Sequence, residues 1–239
     1  MAINIAPKSL DTELSELMRE VSTGKEQLPE FQRGWTWDND RIRGIIASLS
    51  QGYPMGAIMR LEYGNENVRF KYRTIEGVTV TGVTPEFLIL DGQQRLTSMY
   101  RATCCKEPVE TTTEKGKEIK RFYYLDIKKC LDESEDRVDA VIAVPSDRKI
   151  KTNFDRDVVL DLSTRELEFE HETFPINIIF DSNEEYINHD ILDGTQWSVK
   201  VTLDNGSELE HYGSNDFPPN WRSFVKYINN LIAFSGVEF

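Results

Sequence analysis

The sequence predicts an α+β fold in which a small mixed sheet is flanked by helices and continued by an acidic extension. Three observations predict it. Segments 9–23, 39–51 and 93–104 repeat their apolar residues with a helical period. Short apolar or alternating runs lie between them, at 55–63, 68–72 and 87–90. Beyond residue 120 further strand-like runs are set in a strongly acidic background.

The elements follow in order. In 9–23, Leu10, Leu14, Leu17, Met18 and Val21 share a face, and Gly24 ends the helix. A polar loop, Leu28-Pro29-Glu30-Phe31-Gln32-Arg33-Gly34-Trp35-Thr36-Trp37, leads to Asp38, a good N-cap. Ile42, Ile45, Ile46 and Leu49 then form one stripe, and Gly52 before Tyr53-Pro54 stops it. A strand is expected over 55–63, with 68–72 pairing back onto it as a hairpin across Gly64-Asn65-Glu66-Asn67. Residues 74–86 read as a loop or weak strand, and Phe87-Leu88-Ile89-Leu90 as a short buried strand. Leu96, Met99, Tyr100 and Thr103 mark the helix at 93–104.

The segment 109–120 reads as a mobile hairpin tip, and strands are expected at 122–127, 138–144, 158–162 and 197–201. Arg165-Glu166-Leu167-Glu168-Phe169-Glu170 alternates and suggests an exposed edge strand. Trp221, Phe224, Val225, Ile228, Leu231 and Ile232 predict a last helix after Pro218-Pro219, closed by Gly236. The expected organisation is a core at 1–120, completed by an acidic, strand-rich part at 121–239 that belongs to the same domain.

Composition narrows the function. Of 239 residues, 39% are hydrophobic and 29% charged, which suits a packed core rather than disorder. The net charge of −13 argues against tight non-specific binding to nucleic acid. It is uneven, however: residues 1–120 hold 16 basic and 17 acidic residues, whereas 121–239 hold 12 and 24. The first half is therefore near neutral and can present a local basic face. No apolar run is long enough to span a membrane and no signal peptide opens the chain, so a cytoplasmic location is expected. The three cysteines include no C-x-x-C pair, and His171, His189 and His211 stand alone in polar surroundings. A structural metal is therefore not expected. Neither a Walker-type phosphate loop nor a G-x-S-x-G or S-x-x-K motif is present.

The most informative residues are Asp91-Gly92-Gln93-Gln94-Arg95, between the 87–90 strand and the following helix. A helix N-terminus offers unpaired N–H groups and the positive end of its dipole, and so suits phosphate. Gly92 allows close backbone approach, Arg95 can grip phosphate, and Asp91 can hold a metal or orient water. The same pattern also suits an ordinary turn in which Asp91 caps the helix and Arg95 pairs with it. Trp35 and Trp37 can stack on a base or plug the foot of the Ile42/Ile46 helix, and for at least one the second reading is favoured.

Pro29, Phe31-Gln32-Arg33, Trp35, Trp37, Tyr53-Pro54-Met55-Gly56 and Asp91-Gly92-Gln93-Gln94-Arg95 occur in a fixed order. In this the chain resembles the ParB-like N-terminal domain of GmrSD-type restriction proteins, also carried by the phosphorothioate-dependent defence protein SspE. The resemblance is strong over about 25–105, with weaker echoes at 122–127 and 174–180. It implies a ParB/sulfiredoxin-like core and an NTP-binding, NTP-hydrolysing sensor domain of a modification-dependent anti-phage restriction system. Asp91, Gln93, Gln94 and Arg95 become catalytic candidates, and Gln32, Arg33, Gly92 and Arg95 nucleotide-binding ones. Asp91 is the candidate Mg²⁺ ligand, and Phe31, Tyr53 and Pro54 are candidates for sensing DNA or its modification. The expected cofactors are Mg²⁺ and GTP, CTP or ATP. The expected partners are DNA, modified or unmodified, and a His-Asn-His nuclease domain or subunit, with a homodimer also open. No nuclease motif is present, so nuclease activity of the chain itself is doubtful. Two alternatives stand beside this reading: a modified-DNA reader without essential turnover, and a ParB-like nuclease acting directly on DNA.

Overall fold

The computed structural model describes residues 12–64, 70–132 and 134–180, the strand segments 185–187, 196–202 and 208–214, and residues 222, 225 and 226. It is a mixed α+β structure. Helix α1 (Leu14–Ser22) buries Leu17, Met18 and Val21. It ends as the sequence predicts: Gly24, at φ +76°, lets its own N–H reach Val21 O while Lys25 N–H reaches Glu20 O. Strand β1 (Glu26–Pro29) follows at once, buried along its whole length. Helix α2 (Asn39–Ser50) starts where Asp38 accepts the Arg41 N–H at 2.9 Å.

Strands β2 (Met59–Glu62), β3 (Tyr72–Arg73) and β4 (Phe87–Asp91) complete the first sheet, in the order β2-β4-β1-β3. β4 runs parallel to β1, with Glu26 opposite Phe87, and antiparallel to β2. Two expectations change here. The strand expected over 55–63 begins only at Met59, because the preceding residues wrap around a side chain of the next helix. The segment expected to pair with it pairs elsewhere: Tyr72 and Arg73 add to β1, opposite Pro29 and Leu28. Helix α3 (Gln93–Thr103) then leaves β4.

A second sheet is built on a hairpin. β5 (Val109–Thr112) turns through Gly116 into the long β6 (Glu118–Asp126). The expected tip is thus two paired strands around a short turn. Asp126 accepts the Lys129 N–H and caps the short α4 (Ile127–Leu131). β7 (Val141–Pro145) pairs with β6, and β8 (Lys149–Thr152) with β9 (Asp157–Asp161) form a separate two-stranded hairpin.

Arg165–Glu170 is a helix, α5, and not the expected edge strand. The alternation of charged and apolar residues fits either period. Thr164 decides it by accepting the Leu167 N–H, and Glu166 and Glu168 favour the positive end of the helix dipole. Glu168 is then buried, accepting from Tyr124 Oη and Arg148 Nη1, each at 2.9 Å. β10 (Thr173–Pro175) joins β6, followed by a 3-10 turn at Ile176–Ile178. β10 and β5 lie along the same edge of β6, since Arg121, Tyr124 and Leu125 also pair with β7 on the other. β11 (Glu185–Ile187), β12 (Gln196–Thr202) and β13 (Glu208–Ser214) form a further sheet, so the expected strand at 197–201 lies within β12. The expected last helix and residues 9–11 of the first lie outside the described residues, apart from isolated positions.

The helices α2 and α3 join the first two sheets. Ile45, Leu96, Met99 and Tyr100 pack with Leu17, Met18, Val21, Leu28 and Ile89 of the first layer. Ile42, Ile46, Ala47 and Ala102 of the same two helices pack with Val109, Tyr123, Val141 and Ile176. The loop between β1 and α2 and the turn between β4 and α3 are held by this shared packing. Among the described residues no helix is long and apolar enough to cross a membrane.

Candidate functional site

The site begins where parallel β4 meets α3. Gly92 is the N-cap residue, at φ +92°, a left-handed conformation that glycine adopts without strain. A Cβ there would also lie 3.1 Å from Ile58 Cγ1. The N-cap makes no side-chain cap bond, so of the ordinary-turn reading the Asp91 cap is not seen, whereas its Asp91–Arg95 pair is, at 3.6 Å. The first-turn N–H groups have no side-chain acceptor at the N-cap.

The Phe31-Gln32-Arg33 loop lies against this turn, although the two are about 60 residues apart. Gln32 Nε2 donates to Ile89 O at 2.6 Å and Leu90 O at 3.0 Å. Gln93 Nε2 donates to Arg33 O at 2.8 Å, and Gln94 Nε2 to Gly34 O at 3.1 Å. Gln94 Oε1 accepts the Thr36 N–H at 2.8 Å. The three amides therefore lace the loop to the end of β4 and the start of α3. Each supplies hydrogen-bond partners to backbone groups of the loop or of the strand end. Arg73 and Glu76 hold the loop from the other side: Arg73 Nη2 donates to Arg33 O at 3.3 Å and Nη1 to Glu76 Oε1 at 3.0 Å, and Glu76 Oε1 also accepts the Trp35 N–H at 3.2 Å.

Arg95 has a comparable role toward the Tyr53-Pro54-Met55-Gly56 turn. Its Nη1 donates to Met55 O and its Nη2 to Ala57 O at 2.8 Å, with Asp91 Oδ2 3.6 Å from Nη2. Gly56, at φ +79°, fits closely over the guanidinium, where a Cβ would clash with Nη1. The guanidinium that the sequence offers for phosphate thus already serves two carbonyls.

Other candidates remain open to solvent. Asp91 has 73% of its side chain exposed, and Arg33 is exposed with no carboxylate within ion-pair distance among the described residues. Phe31, 69% exposed, meets the edge of Phe70, with ring centroids 5.4 Å apart. Tyr53 and Pro54 are exposed as well.

The family model described as the GmrSD restriction endonuclease N-terminal domain matches residues 14–230. The chain belongs to this family. An uncharacterised protein of Methanocaldococcus jannaschii is 29% identical to it over 180 residues. That alignment takes in 72% of this chain but only 29% of the relative, so the chain spans under a third of that protein's length. No solved structure matches the chain.

In this GmrSD N-terminal domain, sequence reasoning missed Arg73, Glu76 and Gly56 as supports of the site. The Arg73/Glu76 spacing and the Gly56 turn were visible, but not what they touch. Among the described residues no group of three or more His, Cys, Asp or Glu side chains could hold a metal, which leaves Asp91 as a single carboxylate. His171 is exposed. On β1, opposite Phe87 at the far end of β4 from the site, Glu26 is buried and paired with Arg60 at 2.7 Å, and its Oε2 has no partner among the described residues. Burial raises its carboxyl above the usual range, and the Arg60 hydrogen bond offsets only part of that. On the far side of α3, burial pushes the Tyr100 phenol up to about 12 and the Cys104 thiol up to about 11.

Proposed function

We propose that this GmrSD N-terminal domain binds and hydrolyses a nucleoside triphosphate and serves as the sensor of a modification-dependent, anti-phage DNA restriction system. The observation that carries the reading is the uncapped start of α3 behind left-handed Gly92, with the exposed Arg33 and Asp91 in the two loops that meet there. The N–H groups of Gln93, Gln94 and Arg95 donate to phosphate oxygens. Arg33 neutralises charge that develops on the transferred group. Gln94, less buried than Gln93, orients the attacking water, while Gln32 and Gln93 keep the loops in register. Arg95 acts on the phosphates through the turn it builds and through its charge.

The residues fit Mg²⁺ as one protein carboxylate, Asp91, completed by phosphates and water, which is a common arrangement for this ion on nucleotides. When bound, it supplies charge neutralisation between neighbouring phosphates. The parallel β1–β4 pair and its turn are the part we assign to a ParB/sulfiredoxin-like core. Cleavage of DNA falls to a His-Asn-His nuclease domain or subunit, in the cytoplasm, with a homodimer as the candidate assembly.

A second reading has its own support. The exposed Phe31 and Tyr53 suit contact with an altered base or backbone, so the domain could read modified DNA without needing turnover. A panel of GTP, CTP and ATP with Mg²⁺, with and without modified DNA, separates the two. The first reading expects turnover that Arg33→Ala and Asp91→Asn abolish without lowering the melting temperature. Modified-DNA binding with no turnover of any nucleotide would replace it by the second.

A further inference from the structure

Two clefts open against the β5–β6 hairpin, and no residue of 91–95 lines either of them. The first has a volume of 720 Å³ and is lined by Trp35, Thr36 and Trp37 together with both strands of the β5–β6 hairpin. The second, of 830 Å³, holds the Lys115/Lys117 turn of that hairpin. Ile119 and Arg121 line both, so the clefts adjoin across β6.

The charges are not those of an ordinary solvated face. In a chain of net charge −13, the second cleft gathers five cations against three carboxylates. Arg43 is used internally, on the carbonyls of Val138 and Val141 and near Asp40 and Asp139. Among the described residues Lys115, Lys117 and Arg121 form no ion pair. Arg121 spends one nitrogen on Lys120 O at 3.0 Å. In the first cleft Lys120 and Glu110 satisfy each other at 2.6 Å, and Glu118 is the remaining acid.

The aromatic wall is held in place. Trp35 Nε1 donates to Ser98 Oγ at 2.9 Å, and the Arg101 guanidinium lies 5.0 Å from its ring centre. The Trp37 carbonyl accepts from Thr111 Oγ1 at 2.7 Å, tying the loop to β5. Half-buried indoles, packed in part against the α2/α3 core, beside cations that have no ion pair among the described residues match what an unpaired strand offers: a base with a free face, followed by phosphates. A duplex keeps its base faces stacked inside and presents only its backbone and the base edges in its grooves. We propose that the two clefts form one binding path for single-stranded nucleic acid, with a base against Trp35 and Trp37 and the adjoining phosphates at Arg121 and the Lys115/Lys117 turn.

The test uses the whole 239-residue chain without nucleotide or Mg²⁺, so it does not depend on the nucleotide site. Anisotropy of a labelled oligothymidylate is measured across a salt series, with tryptophan emission followed in parallel. Binding with quenched emission is expected, and Arg121→Gln should weaken it by about 10-fold, the equivalent of one lost contact. Lys115→Gln with Lys117→Gln should flatten the log–log salt slope by about 1.4, at ~0.7 per single-strand phosphate. These lysines sit on an exposed turn, so the pair of substitutions still tests the path if Arg121→Gln unfolds the chain. Equal affinity for the matching duplex, binding of inorganic polyphosphate as tight as that of the oligonucleotide, an unchanged salt slope, or no binding would each overturn the proposal.

Discussion

Gly56→Ala tests whether Arg95 is the keystone of the turn. Two costs follow from the structure. At φ +79° an alanine is left-handed, which costs about 1–2 kcal/mol. Its Cβ also enters the space of Arg95 Nη1, so the guanidinium must release Met55 O, Ala57 O or both. A charged donor lost to a carbonyl is worth about 1.5–3 kcal/mol, and partial exposure of Arg95 points to the lower end. Urea unfolding should therefore show a total loss of about 3 kcal/mol. With Arg95→Ala already in place the clash is gone, and Gly56→Ala should cost only its backbone part, about 1–2 kcal/mol. The two substitutions should thus couple by more than 1 kcal/mol in a double-mutant cycle, as neighbours in one contact do. Equal cost of Gly56→Ala in both backgrounds would show that Arg95 does not hold this turn, and would return its guanidinium to the phosphate.

Other expectations can be checked in the same way. Gln93→Ala leaves Arg33 O with one donor fewer, and should destabilise the domain by about 1 kcal/mol and speed amide exchange in the 31–36 loop. Glu26 should make stability depend on pH. Because its folded carboxyl keeps a proton to higher pH than an unfolded one, the folded state binds more protons there, and stability falls as pH rises from about 4.5 through the raised value. Glu26→Gln should remove that slope in melts across the acid range, and an unchanged slope would assign it to other groups. With its thiol pushed up to about 11, Cys104 should alkylate far more slowly in the native protein at pH 8 than after unfolding. Rapid native labelling of Cys104, located by mass spectrometry, would contradict the burial.

What the sequence determined by itself was local. Asp38 before the Ile42/Ile45/Ile46 stripe, Gly24 and Gly52 after their helices, and Gly92 between strand and helix each act within a few residues, so their signals are legible in the order of the chain. The family was legible too, because its motifs are short and ordered. The tertiary structure decided the rest, because partners are chosen across long stretches of chain. Tyr72 and Arg73 alternate acceptably for either neighbour, and the free edge of β1 took them. Arg165–Glu170 suits either period until the cap at Thr164 and the buried partners of Glu168 select a helix. The motif residues were readable as polar groups in need of partners, but not which partners. Gln32, Gln93 and Arg95 reach backbone 57, 60 and 40 positions away, and only the packing of α2 and α3 between two sheets brings those carbonyls within hydrogen-bond distance.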